Sequence, residues 1–222
     1  MADWNAELYR KFEKERTLPC YDLVRAVETV PETVLDVGCG IGNSTQVLAD
    51  TFPAAHIIGA DNSPDMLRYA RENHPGLEFI ELDAAHDLEK LPEKYDLVFS
   101  NACLQWLPDH RTRIRELMGQ GKITSFRQYN ELTEEEYFDA LSENASAFRM
   151  WEIMYFFEMP SHESILEWYR GTGLRPYLAQ LCDEDKTAFE AEILDGIRKL
   201  YPVQKNGSII FRFPRLFFAA RK

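Results

Sequence analysis

Apolar residues along this chain fall into two patterns: short β-branched runs, and longer stripes at helical spacing. Val34, Leu35 and Val37 make a run of the first kind, which suits a strand covered on both faces. Gly38, Gly40 and Gly42 follow, and Asn43, Ser44 and Thr45 then open a helix whose apolar face is Val47, Leu48 and Phe52. Residues 56–60 read as a second strand, 77–82 as a third and 96–100 as a fourth. Between the second and third, Ser63 is a good N-cap, Pro64 a good first helical residue, and Met66, Leu67 and Ala70 a buried stripe. Residues 21–30 predict a helix with Leu23, Val24 and Val27 inward. Before it, residues 1–19 carry Leu8 and Phe12 at helical spacing. They read either as an amphipathic helix or as a flap that sets Trp4 and Tyr9 over a ligand.

The second half repeats the alternation more loosely. Thr133 with Glu136 has the spacing of a capping box and predicts a helix to about residue 147. Residues 148–157 predict a long aromatic strand. Ser161 caps a helix carrying Ile165, Leu166 and Trp168, which Gly171 and Gly173 end. A further helix over about 184–200 puts Phe189, Ile193, Ile197 and Leu200 on one face. The final strand, 208–220, contains Pro214, which cannot donate to a ladder and so implies a bulge or an edge position.

Strands alternating with helices imply an α/β fold with a doubly wound, mostly parallel, Rossmann-like sheet, whose ligand crevice lies beyond the carboxyl ends of the strands. Asp36, Asp61, Asp83 and Asn101 all fall at such ends. The glycine loop reads G-x-G-x-G, and Asn43 stands where a dinucleotide fingerprint needs its last glycine. A helix N-terminus behind a glycine turn offers unpaired N–H groups to a ligand. Asp36 inside that turn favours a cationic ligand over a pyrophosphate. Asp61 is suited to accept both hydroxyls of a ribose, and Asp83 to reach the exocyclic amine of an adenine.

Composition narrows the partners. The 222 residues can bury a core as a single domain, 1–222, with a small helical cap at about 161–200 over the sheet edge. A net charge of −12 argues against nucleic acid, which needs basic patches. No apolar run is long enough to span a bilayer and no leader opens the chain, so a cytoplasmic location is expected. Cys20, Cys39, Cys103 and Cys182 lack metal-ligand spacing, and neither a metal nor a disulfide is expected.

Three stretches carry a resemblance: Asp-Val-Gly-Cys-Gly-Ile-Gly-Asn-Ser-Thr from Asp36, Gly-Ala-Asp-Asn-Ser-Pro-Asp-Met from Gly59, and Asn-Ala-Cys-Leu-Gln-Trp-Leu-Pro-Asp-His from Asn101. Together they resemble the class I S-adenosylmethionine-dependent methyltransferases. The opening Asp-Trp-Asn, Leu-Tyr and Glu-Arg, the later Met-Pro-Ser-His and Thr-Gly-Leu-Arg-Pro, and the closing Phe-Pro-Arg-Leu-Phe are similar, more narrowly, to the trans-aconitate 2-methyltransferase family. The resemblance implies S-adenosylmethionine held by Tyr9, Arg16, Asp36, Gly38, Cys39, Gly40, Gly42, Ser44, Asp61, Asn62, Met66, Asp83, Ala84 and Asn101. It implies a small anionic carboxylic acid held by Gln105, Trp106, Arg175, Tyr201, Arg212 and Arg215, with His162 a weaker candidate.

The same resemblance exposes a departure. Where the family continues into a fifth buried strand, residues 119–130 run Gly-Gln-Gly-Lys-Ile-Thr-Ser-Phe-Arg-Gln-Tyr-Asn, and about thirty residues of the family pattern are absent, where a parallel crossover alone needs a dozen or more. The fifth strand is therefore expected to be short or missing. Residues 122–126 fill the gap, or the last strands shift inward, or the chain is a shortened form. A sulfonium methyl group is already activated, so transfer needs proximity and alignment, and an ionised carboxylate needs no general base. No catalytic residue is accordingly expected. Two other classes compete: a nicotinamide oxidoreductase, disfavoured by Asp36 in the loop, and a donor-binding remnant without activity.

Overall fold

The structure, a computed structural model, describes residues 11–84, 86–87, 91, 95–103 and 132–221. The described elements run α1 (Glu13–Val24), β1 (Thr33–Val37), α2 (Asn43–Thr51), β2 (His56–Asp61), α3 (Pro64–Asn73), β3 (Glu78–Glu81), β4 (Leu97–Phe99), α4 (Glu134–Asn144), β5 (Ala147–Met159), α5 (His162–Arg170), α6 (Arg175–Leu178), α7 (Asp183–Leu200) and β6 (Ile209–Arg221). They divide into two compact units. One is Arg149–Phe218; the other takes the described residues between 3 and 111, with 132–148 and 219–221.

In the second of these units β1 to β4 form a parallel sheet of order β3-β2-β1-β4. The chain winds outward from β1 through β2 to β3, then returns to the other side of β1 for β4. That reversal makes the gap between the ends of β1 and β4 a topological switch point, where open α/β sheets bind ligands. Period-two alternation gives each face of β1 its own core. Val34 meets Ile57 and Phe99 under Val47 and Leu48 of α2 and Cys20 and Val24 of α1. Leu35 and Val37 meet Ile58, Ala60 and Leu82 on the other side. Asp36 shares the parity of Val34, and so is turned toward α2.

Helix α3 begins as expected: Ser63 accepts from the Met66 N–H, Pro64 is its first residue, and Met66, Leu67 and Ala70 are buried. The helix expected over 21–30 is corrected. One helix runs from Glu13 to Val24 straight through Pro19, and Val30 is exposed. Arg16, Pro19, Cys20 and Val24 form its buried stripe, so packing of that face outweighs the proline's missing donor. Helix α4 carries the full capping box: Thr133 Oγ1 accepts from Glu136, and Glu136 Oε2 accepts from the Thr133 N–H.

In the unit Arg149–Phe218, β5 and β6 pair as a two-stranded sheet, so Pro214 lies within an unbroken strand whose other edge is open among the described residues. Tyr155, Phe157, Phe211 and Phe217 are buried on one face of this ribbon, with Trp168 of α5 packed edge-on to Phe211 and Phe213. Arg170 holds Glu190 of α7 through two parallel hydrogen bonds of 2.6 and 2.7 Å. Leu200, expected on the buried face of α7, is 72% exposed; the face ends at Ile197. The expected fifth strand, with residues 122–126, lies outside the described residues, as does the segment 1–10. Among the described residues no helix is long and apolar enough to cross a membrane, and no cluster of metal-ligand type occurs.

Candidate functional site

The three glycines that follow β1 turn the chain back across the strand ends. Gly38, Gly40 and Gly42 have φ of +75°, +56° and +92°, a region that side chains with a Cβ rarely adopt. The turn is fastened to β2: Gly38 and Cys39 both donate to the Ala60 carbonyl, at 2.7 and 3.0 Å. Gly40 donates to Asp61 Oδ2 at 2.9 Å, and the other carboxylate oxygen of Asp61 accepts from the Ser63 N–H at 2.9 Å. On the far side, Ser100 Oγ donates to the Val37 carbonyl, and a Cβ on Gly38 would lie 2.3 Å from Cys103 Cβ. The loop after β4 is thus packed against the glycine turn at the switch point.

Asp36 is fully buried beneath this turn. Its Oδ2 accepts from Ser44 Oγ at 2.6 Å and from Thr45 Oγ1 at 2.7 Å, both from the first turn of α2. Its Oδ1 is buried with no hydrogen-bond partner among the described residues. Burial pushes the carboxyl up to about 6, opposed by the two hydroxyl bonds and assisted by the negative charge of Asp61. Burial likewise raises Asp61, against its backbone N–H bonds. The neighbouring thiols follow: Cys39 is raised well above its usual value, and Cys103 is pushed up to about 12, burial first and the two carboxylates next. Two carboxylates, one with an unmatched buried oxygen, make this edge suited to a cation and poorly suited to a phosphate.

Of the residues predicted at the strand ends, the structure brings Asp36, Gly38, Cys39, Gly40, Gly42, Ser44 and Asp61 into one hydrogen-bonded assembly. Asp83 follows β3 by two residues, and the Leu82 N–H beside it donates to the Asp61 carbonyl. Asn101 is half-buried next to Ala102, which has a φ of +56°. Met66 is buried, Asn62 exposed and Ala84 half-buried. Arg16 is buried in α1 beside the ring of Phe12. Tyr9, Gln105 and Trp106 lie outside the described residues. Thr45 was not among the predicted residues, although its place beside Ser44 at the head of α2 was legible.

The acceptor candidates lie in the other unit, and there the structure separates two of them. Arg212 and Arg215 are three residues apart on β6, so they occupy opposite faces of the strand. Arg215 stacks over Phe213 at 4.5 Å on the aromatic face, while Arg212 is exposed on the other. Tyr201 shares the face of Arg215 through Phe211 and Phe213. Its carbonyl is bonded to His162 Nε2 at 2.8 Å. Arg175 opens the short α6 and is half-buried.

Comparison with known proteins agrees with this geometry. The family described as a methyltransferase domain matches residues 34–119. The trans-aconitate 2-methyltransferase of Klebsiella pneumoniae is 38% identical over 252 residues, covering 100% of this chain and 99% of that protein. The same enzyme of Rhodopseudomonas palustris is 37% identical over 258 residues, with both chains covered completely. Both alignments are longer than the 222 residues here, so roughly thirty positions of the relatives have no counterpart. Among solved structures, the YcgJ protein of Bacillus subtilis shares the fold at a TM-score of 0.55 and 16% identity, covering 94% of this chain and 99% of that one. Phosphoethanolamine N-methyltransferase 2 of Haemonchus contortus, in complex with S-adenosyl-L-methionine, does so at 0.51 and 16%, covering 91% and 52%. With more than a third of its residues identical to full-length relatives, this chain belongs to the trans-aconitate 2-methyltransferase family of class I S-adenosylmethionine-dependent methyltransferases.

Proposed function

We propose that this chain transfers the methyl group of S-adenosylmethionine to a carboxylate of a small tricarboxylic acid such as trans-aconitate, giving the monomethyl ester. Methyl transfer from that donor follows from the family; the acceptor is the step beyond it. The residues fit the donor. The buried, unmatched Oδ1 of Asp36 and the carboxylate of Asp61 offer negative charge to a ligand that carries a positive one. Among the described residues nothing lies within 4 Å of where a Cβ on Gly40 would stand, which leaves room for a ligand on that side of the turn. Around the donor we assign Asp36, the Gly38 to Gly42 turn, Asp61 with Asn62 and Met66, Asp83 with Ala84, and Asn101.

The donor supplies an activated methyl group at a sulfonium. The protein's share is to bind, orient and exclude water. A carboxylate acceptor is already ionised at neutral pH and requires no base. Arginine forks match carboxylates in pairs, and Arg175 and Arg215 with Tyr201 are the acceptor-holding set in this reading. Arg212 faces the other way along β6.

The observation that carries the reading is identity across the whole length of the relatives rather than across the donor-binding part alone. A second reading is favoured by the shortfall of about thirty positions: the chain binds the donor but serves another small acid, or transfers slowly. An assay for base-labile methyl esters, with trans-aconitate, citrate and related acids as acceptors, separates the two. Ester on trans-aconitate supports the first. Donor binding with ester on another acid, or on none, supports the second.

A further inference from the structure

Asp36 is an acid whose two oxygens are treated differently. Both nearby hydroxyls, Ser44 Oγ and Thr45 Oγ1, donate to Oδ2, while Oδ1 is buried without a partner. An oxygen that accepts two O–H donors is a poor place for a proton, so a proton on this carboxyl resides on Oδ1. An anionic Oδ1 in the same position requires a positive charge or a donor nearby, because a buried unpaired charge is costly. Around pH 6 and below, the carboxyl therefore keeps a proton on Oδ1 until a positive charge or a donor meets that atom.

We propose that Ser44 and Thr45 are positioning residues that hold Asp36 so that its Oδ1 gives up a proton when the cationic methyl donor binds. The inference rests on the donor reading above. The proton leaves to solvent; no covalent bond of the donor changes. Thr45 is fully buried and lies against Gly59 of β2, so its hydroxyl has a fixed direction. Among the described residues, the titratable groups that face Asp36 are the carboxylate of Asp61 from β2, the thiol of Cys39 in the turn and that of Cys103 after β4. Neither thiol carries charge near neutral pH, and Asp61 opposes ionisation of Asp36. The two hydroxyls of α2 are what favour it.

Calorimetric titration of the whole chain with S-adenosylmethionine, in buffers of differing ionisation heat, tests this across about pH 5.5 to 8.5. For the wild type, proton release is expected to be near zero at the alkaline end and to approach half a proton or more near pH 6, with Kd rising about fourfold between about pH 7.5 and 5.5. Thr45→Val and Ser44→Ala should each move the midpoint to higher pH, and Thr45→Ser should restore it. Either variant suffices if the other fails to fold. Binding without proton release, or a midpoint unmoved by both variants, overturns the inference and leaves the donor reading standing. No binding at any pH by folded wild type overturns the donor reading itself.

Discussion

The Gly40 N–H donates to Asp61 Oδ2 at 2.9 Å, so the carboxylate at the end of β2 is oriented by the turn that follows β1. The other oxygen is held by the Ser63 N–H, and each retains a further lone pair for a ligand hydroxyl. Asp61→Ala removes the tie to the turn and, in the proposed role of Asp61, the ligand contacts as well. Donor affinity should fall by roughly 1–3 kcal/mol, the scale of charge-assisted hydrogen bonds. Titration calorimetry at neutral pH reads this directly; an unchanged Kd contradicts the role given to Asp61.

Gly38 and Gly40 should respond differently to alanine although both have positive φ. Gly40→Ala meets open space and costs only the left-handed conformation, about 1–2 kcal/mol. Gly38→Ala would press a methyl group onto Cys103 at 2.3 Å, adding about 1–3 kcal/mol of overpacking. Urea denaturation should rank Gly38→Ala as the less stable. Equal losses would mean that Cys103 does not pack against the turn.

Asp36 makes a pH signature in stability. Its carboxyl titrates near 6 in the folded chain and near the ordinary 3.8 when unfolded. Between those values the native state keeps a proton that the unfolded chain has lost, so stability falls as pH rises through the window. Below it there is no penalty; above it the full penalty is about 3 kcal/mol. Asp36→Asn abolishes the titration. Its stability relative to wild type should therefore improve by about 2–3 kcal/mol between about pH 4 and pH 7. A difference that stays constant with pH contradicts the burial cost.

The two arginines beside Pro214 give a test of the acceptor side. Arg215 shares the aromatic face with Tyr201, and Arg212 does not. Arg215→Ala should raise the acceptor KM about tenfold or more, the loss of one charged hydrogen-bond pair, while Arg212→Ala shifts it less than about twofold. Neither should alter donor affinity. Steady-state kinetics with the ester assay decides; the reverse ranking would move the acceptor to the other face of β6.

Much of the sheet was legible because its signals are local. A β-branched run, a glycine turn and a capped helix recur at short spacing, and β1 to α3 emerge with boundaries close to those expected. Ser63, Pro64 and the Met66, Leu67, Ala70 stripe needed nothing beyond cap chemistry. Helix α1 was misjudged because Pro19 reads as a break, while the stripe from Arg16 to Val24 that carries the helix through it depends on partners in α2 and β1. Within the site, the acids could be named from sequence. That Ser44 spends its hydroxyl on Asp36, and that Thr45 joins it, depended on the turn of α2 beneath β1. Arg212 and Arg215 could only be named together from sequence; the strand running unbroken through Pro214 is what sets them on opposite faces.

A crystal structure of the chain with S-adenosylhomocysteine bound tests the central claim most directly. The account predicts ligand over the Gly38 to Gly42 turn, with its ribose hydroxyls on Asp61. Ligand bound elsewhere on a folded chain, or an Asp61 carboxylate turned away from it, would contradict the account.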